Sequence, residues 1–469
     1  MASDRALLVR PQVIPTLDPD FRPAFLWNRA FAAQASASKS PIRVSLAVEQ
    51  TDGSIFHHST SILPEHDPGA SANFTHLERL VKFLLWSRGG FRIHFDGPKL
   101  LAEQLRKHYA ETPTGRFDAS IMGERVYERP FEIVHTPQLP PARSTSKPLG
   151  RYLKGCRIGF DLGGSDRKVA AVIDGQCVFS EETIWNPVPQ ADPQWHFDQI
   201  MESLKLAARH LPRVDAIGGS SAGVIVNNRI KVASLFRGVP LALFNSRVKD
   251  LFLEMRKAWG GIPFEVANDG EVTALAGSMA LEKNGVLGIA MGTSMAGGYV
   301  NPSGNITTWL NELAFAPVDY NPHAAVDEWS GDAGCGVQYF SQQCVGRLLP
   351  AAGIEMDWAL PLPEKLKHVQ ELMRGGDDRA TKIFQTIAAY LGYAILHYTE
   401  FYDFHHVLIL GRVTSGVGGD VITAGAREVL SSEAPELSEK ITLHSPDEKE
   451  KRHGQAIAAA SLPGLFQGL

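Results

Sequence analysis

The sequence predicts an α/β protein with two similar lobes around a cleft and an extra α+β module ahead of them. Three observations carry this. Strand–turn–strand patterns with glycine in the turn occur at 157–173, continuing at 176–184, and again at 286–300. Each is followed by further strand and helix patterns. The stretch 136–150 is rich in proline and hydroxyl residues without periodicity, and reads as a linker. The divisions are therefore a module at 1–135, the linker at 136–150, a first lobe at 151–284, a second lobe at 285–450 and a tail at 451–469. Length agrees, since 469 residues hold about two to four domains.

Composition excludes several classes. A hydrophobic fraction of 44% and a charged fraction of 21% fit a soluble globular protein. A net charge of −5 offers no general attraction to nucleic acid or to a membrane surface. No apolar run reaches the roughly 18 residues of a membrane span. Met1–Arg5 lacks the charged-then-apolar pattern of a signal peptide. The four cysteines, 156, 177, 335 and 344, form no CxxC pair and read as reduced thiols, with Cys156 and Cys177 as small core residues. A cytoplasmic location is the expectation.

In the module, Val44, Leu46 and Val48 alternate into a strand, Asp52-Gly53 turns, and a second strand runs near 54–62. Thr75-His76-Leu77-Glu78 has capping-box spacing ahead of an apolar helical face at Leu77, Leu80, Val81, Leu84 and Leu85. A strand at Phe91, Ile93 and Phe95 and a helix at 99–109 complete an α+β unit without a clear helix-turn-helix. Its first hairpin resembles that of 157–184 but lacks the Gly-Gly.

Behind the linker, a helix is expected at about 194–210, a strand at 216–218, a helix at 246–259 and a strand near 263–266. A helix at 271–279 follows, helices dominate 360–402, and 407–410 is a short buried strand.

The chemistry concentrates at turns. Asp161-Leu162-Gly163-Gly164-Ser165 follows an apolar strand, and without side chains at the two glycines an anion can approach the backbone N–H groups. Asp161 is an oxygen ligand of the kind that suits hydrated magnesium. Gly292-Thr293-Ser294 is a second glycine turn with hydroxyls. Gly411 to Gly416 is a glycine-rich loop between a strand and a helix, where an anion is favoured. Asn268-Asp269-Gly270 stands at the junction of a strand and a helix, and Asn311-Glu312 follows the second hairpin.

Together these residues resemble the superfamily of sugar kinases, heat-shock chaperones and actin, two-lobed actin-like ATPases with ribonuclease H-like lobes. The nearest resemblance is to the ROK family of repressors, uncharacterised reading frames and sugar kinases. It covers about 150–465 and rests on Asp161 to Ser165 with Lys168, Asn268-Asp269, Gly292 to Ser294, Gly297-Gly298 and Glu312. The tail Gly454 to Ala460 looks like the small-residue helix that ends the family, packed back on the first lobe. No GxxxxGK[ST] sequence occurs, so a P-loop fold is excluded.

The resemblance implies phosphoryl transfer from ATP with Mg2+ to a sugar hydroxyl. Asp269 would be the general base. Gly163, Gly164, Ser165, Gly292, Thr293 and Ser294 would cradle phosphates beside Lys168, with Asp161 placing Mg2+ through water. Gly411 and Gly416 would flank the nucleoside. Ser221, Gly223, Asn268, Asp269 and Glu312 would meet the sugar. Family members are often homodimers.

The pattern departs from the family in one region. Phe315 stands where a zinc-binding His belongs, and of the cysteine cluster only Cys335 remains, with Trp329 and Gly331 at the upstream positions. One thiol cannot supply zinc's tetrahedral set, so no structural zinc is expected. Val337 replaces a Glu that often binds the sugar. An unpaired buried hydroxyl costs about 1–3 kcal/mol, so an unmodified glucose-like ligand should bind poorly unless other groups substitute. His323, Asp327, Glu328 and Asp332 are the candidates. Two functions follow from this: a sugar kinase of altered specificity, or a non-catalytic sugar- or nucleotide-sensing regulator.

Overall fold

The computed structural model describes residues 7–144, 148–232, 234–445 and 448–465. Met1–Arg5, positions 145–147 of the linker and the end of the tail lie outside them. The module is a four-stranded sheet, order β2-β1-β3-β4, built from β1 (Ile42–Glu49), β2 (Ile55–Ile62), β3 (Arg92–Asp96) and β4 (Glu132–His135). Helices Ala24–Ala37, Ala72–Arg88 and Lys99–Glu111 accompany it. The first lobe holds β5 (Cys156–Leu162), β6 (Asp166–Ile173), β7 (Gln176–Ile184), β8 (Ala216–Ser221) and β11 (Phe264–Asn268) in the order β11-β8-β5-β6-β7. A ribbon of β9 (Val224–Val226) and β10 (Arg229–Val232) lies beside it. The second lobe holds β12 (Val286–Met291), β13 (Met295–Val300), β14 (His406–Leu410) and β15 (Thr442–His444) in the order β13-β12-β14-β15.

Among the described residues, three of the four hydrophobic cores hold the larger parts. The first lobe closes on Ile158, Phe160, Leu204 and Phe252. At the junction of the lobes, Val272 and Leu275 of the helix Asp269–Ala280 pack with Leu408, Ala458 and Ala459. The third core is shared by the module and the second lobe: Phe21 meets Tyr390 at 4.7 Å and Phe83 meets Phe401 at 4.1 Å between ring centroids. Backbone bonds join them as well. The N–H groups of Leu310, Asn311 and Glu312 bond to the carbonyls of Arg88, Ser87 and Trp86, which the end of their helix leaves without intrahelical partners. Against the first lobe the module uses charge, with Glu128 3.1 Å from Lys231 and 2.9 Å from Lys249.

Several local expectations are corrected. The helix containing Thr75 begins at Ala72, one turn earlier, because Asn73 is fastened to both backbone groups of Leu63. Strand β3 separates it from the helix Lys99–Glu111, so the pair is no helix-turn-helix. β1 pairs antiparallel with β3, whereas β5 pairs parallel with β8, so the two hairpins open different sheets. The helix expected at 246–259 is broken into a wide turn at Phe244–Val248 and a helix at Leu251–Ala258. Cys177 is exposed because β7 is an edge strand turned to solvent, while Cys156 is buried. Within 136–150, Arg143 exchanges both backbone bonds with Ile55, and Leu149 pairs with Ile306, so this stretch is docked rather than loose.

Behind the junction of module and second lobe lies Lys82, fully buried, with its Nζ 2.9 Å from Asp118 and 3.0 Å from Asp332. Arg79 joins Asp332 to Glu78. Burial opposes the charge on Lys82, but the two aspartates outweigh it and hold the ammonium protonated. Replacing Lys82 with Ala leaves carboxylates buried without their cation. Stability is expected to fall by about 3–5 kcal/mol in urea unfolding at neutral pH. A loss below about 1 kcal/mol would mean the network is not holding the two parts together.

Candidate functional site

Strand register assembles the first half of the site. β8 lies between β5 and β11 and runs parallel to both, placing Asp161 opposite Ser220 and Asn268 opposite Ser221. The carboxyl ends of parallel strands thus meet at one crevice, the usual location of ligands in such sheets. Asp161 accepts from Ser220 Oγ at 2.7 Å and from Gln455 Nε2 of the final helix at 3.2 Å. That helix reaches Asp161 because Gly159 and Gly218 carry no Cβ: one at either position would overlap the carbonyl of Ala456 or Ala459. Burial pushes the Asp161 carboxyl up to about 6, against the pull of Ser220 and Lys168. Lys168 Nζ stands 3.0 Å from Asp166 and 3.7 Å from Asp161.

The turn after β5 is closed by the Gly163 N–H on the Asp166 carbonyl at 3.0 Å. Gly164 and Ser165 are exposed, and a Cβ at Gly164 would meet only open space. In the second lobe Gly292 closes its turn on Ser294 at 2.9 Å. Gly411, at φ +100°, lies against the backbone of Met291, and Gly416, at φ +66°, opens the helix Val417–Glu433. The two second-lobe glycine segments are therefore neighbours. Open backbone at Gly164 and Gly416, with Lys168 nearby, fits the phosphates of a nucleotide. Asp161 fits a cation held through water. Among the described residues no cluster of three or more His, Cys, Asp or Glu is arranged to hold a metal directly.

Asp269 begins its helix. Asn268 caps that helix, accepting from the Gly270 N–H at 2.7 Å while donating to the Gly223 carbonyl at 2.8 Å. A Cβ on Gly270 would overlap the carbonyl of Gly297, and one on Gly298 that of Gly270. Bare backbone on both sides is what lets Asp269 reach the β12–β13 hairpin. Burial raises the Asp269 carboxyl above its ordinary range.

A cavity of ≈ 600 Å³ opens beside Asp269 and is bordered by Gly223, Asn268, Thr293, Ser294 and Glu312. Of the residues that the motifs single out, these share one space. Ser221 is fully buried and does not border it, and Asp161, Gly163, Gly164, Ser165, Lys168, Gly292, Gly411 and Gly416 lie outside it. Part of its remaining wall, that of the module, was not legible in any motif. Trp86 and Phe117 of the module face it with Phe315, and Val337 adds to the apolar side. Of the substitute polar groups, Asp327 borders the cavity, Asp332 is engaged with Lys82 and Arg79, and His323 and Glu328 stand away from the wall. Cys335 is completely buried, and burial pushes its thiol up to about 12.

Glu312 depends on its neighbours. Asn311, at φ +51°, donates to Glu271 and accepts from Tyr402 at 2.8 Å. Burial raises Glu271 to about 8, and burial with the nearby Asp269 charge raises Glu312 to about 7. Glu271 is a residue that sequence reasoning missed, because it reads as an ordinary first-turn helix carboxylate.

The model of the ROK family matches residues 157–459. The chain belongs to the ROK family. Its fold is also that of solved ROK structures. A ROK hexokinase from Thermus thermophilus is 19% identical, with a TM-score of 0.50, over 65% of this chain and 97% of that one. A ROK family transcriptional regulator, a homolog of the E. coli MLC protein, is 18% identical, with a TM-score of 0.54, over 66% of this chain and 78% of that one. A search of curated proteins finds no match. The ROK fold, two actin-like lobes, agrees with the fold class expected from the motifs, and this chain carries the α+β module ahead of it. No helix among the described residues is long and apolar enough to cross a membrane.

The raised carboxyls make stability depend on pH. Glu271 moves from an ordinary 4.5 to about 8 on folding. Across that window the folded chain keeps a proton that the unfolded chain releases, so stability falls as pH rises. Glu271→Gln retains an acceptor for Asn311 and cannot ionise. Its Tm should match the parent at about pH 5 and exceed it at about pH 9. A Tm difference that does not change with pH would show that Glu271 is not held protonated.

Proposed function

We propose that this ROK protein is an ATP-dependent sugar kinase that phosphorylates a hydroxyl of a sugar or sugar derivative, with Asp269 as general base. One observation carries the reading. Asp269 borders a cavity together with Asn268 and Glu312, while Thr293 and Ser294 of a glycine phosphate turn border the same cavity. An acceptor hydroxyl and a phosphoryl group would thus meet at one carboxylate.

When bound, MgATP supplies the phosphoryl group and a cation that neutralises it. Gly163, Gly164, Ser165, Gly292, Thr293 and Ser294 are the residues that would hold its phosphates, with Lys168 beside them, Gly411 and Gly416 along the nucleoside, and Asp161 toward Mg2+ through water. Asp269 accepts the hydroxyl proton as the oxygen attacks, and its raised pKa strengthens it as a base. Asn268 fixes the start of the Asp269 helix and with Glu312 orients sugar hydroxyls. Most of the rate comes from this positioning. The aromatic Phe315 and aliphatic Val337 remove two polar contacts from the sugar side, which favours an acceptor with apolar surface.

The second reading, a non-catalytic sugar-responsive regulator, is favoured by the fold shared with a ROK transcriptional regulator. ADP release measured over hexoses, amino sugars, acyl sugars and glycosides separates the two. Asp269→Asn should lower turnover by about 10²–10⁴ with little change in sugar binding. Tight binding of a sugar without turnover of any would favour the regulator and sink the kinase.

A further inference from the structure

The cavity beside Asp269 has a far side whose chemistry the acceptor hydroxyl does not use. Its volume of ≈ 600 Å³ lies within the range of pockets that enclose ligands of drug-like size, about 300–1,000 Å³. The floor is polar: Asp269, Asn268 and Glu312. The wall toward the module is aromatic, with Trp86 4.3 Å from Phe315 and 6.1 Å from Phe117 between ring centroids. Arg125 of the module and Arg237 of the first lobe border the same cavity, and both are exposed. Among the described residues neither guanidinium has a carboxylate partner, and Arg237 lies over the Trp329 ring at 5.5 Å. Asp327, the other acid on this wall, is occupied by the Ser330 N–H at 2.8 Å and hydroxyl at 2.6 Å. A planar guanidinium beside an apolar wall is suited to a carboxylate or phosphate, which it grips bidentately. The first glycine turn and the loop at Gly411 lie outside the cavity, whereas Thr293 and Ser294 of the second border it with this pair; the KM for MgATP therefore separates an acceptor anion from the phosphates of the nucleotide.

We propose that the acceptor is an acidic glycoside: its reacting sugar lies at Asp269, an apolar face lies on Trp86, Phe117 and Phe315, and a carboxylate or phosphate meets Arg125 and Arg237. This deepens the reading of the cavity as the acceptor site and rests on it. The extra module then has a chemical task, since it supplies the aromatic wall and one of the two arginines.

Isothermal titration of the full chain tests this with gluco-, galacto- and manno-configured disaccharides, each in a neutral form and in the form whose distal hydroxymethyl is a carboxylate. The same disaccharides with a phosphate ester on that distal hydroxymethyl serve as the phosphate arm. An acidic member or the sugar phosphate should bind at least about tenfold more tightly than its neutral counterpart, and the stronger arm identifies the anion. In Arg125→Gln/Arg237→Gln that preference should vanish, with neutral affinity and Tm unchanged. Equal affinity for acidic and neutral forms overturns the proposal. So does a preference that survives the double variant, failure of every acidic probe to bind, or a KM for MgATP raised alike with all acceptors. The two readings fail separately. Acid-selective binding without ADP release keeps an acidic glycoside as the ligand of this cavity and removes the kinase, whereas ADP release on neutral sugars alone, unchanged in the variant, does the reverse.

Discussion

Close approach of bare backbone between the Asp269 helix and strand β13 sets the distance between the two lobes at the site. Gly270 lies against Gly297 and Gly298, and a single Cβ on either side would force the segments apart. Around this contact the small residues Ala458 and Ala459 and the aliphatics Val272, Leu275 and Leu408 form the core at the junction of the lobes. The same device recurs where the final helix lies on Gly159 and Gly218 and brings Gln455 to Asp161. Both candidate halves, the crevice at the ends of β5, β8 and β11 and the cavity beside Asp269, are therefore positioned by missing side chains as much as by those present.

The module belongs to this arrangement rather than standing apart. Its core continues into that of the second lobe, and the carbonyls at the end of its helix Ala72–Arg88 hold the backbone of Leu310 to Glu312. Glu312 is consequently placed by residues more than two hundred positions earlier in the chain. The buried Lys82 lies between Asp118 and Asp332, beside the buried Cys335. An ion pair wholly removed from water is costly to build and costlier to break on one side, which makes this junction specific.

The glycine turns, Asp269 and Glu312 were legible because each leaves a local mark: a turn that needs bare backbone, or an acid at a strand–helix boundary. The strands and most helices were legible through periodicity. Thr75 misled because Asn73, tied to Leu63, extends its helix by a turn that no capping pattern foretells. Cys177 misled because an edge strand exposes what a central strand would bury. Trp86, Phe117, Arg125, Arg237 and Glu271 were invisible for a simpler reason. An aromatic or a charged residue on a helix, or on a turn such as that of Arg237, has the same local pattern whether it faces a core, a cavity or solvent.

By itself the sequence determined the two-lobed α/β architecture and the order of its glycine turns, since these depend on local backbone needs and on which residue types are present. Only the tertiary structure decided that the module walls the cavity, that Glu271 underlies Glu312 and that Lys82 lies between two aspartates. Those relations join residues distant in the chain, and burial and register create them only after folding.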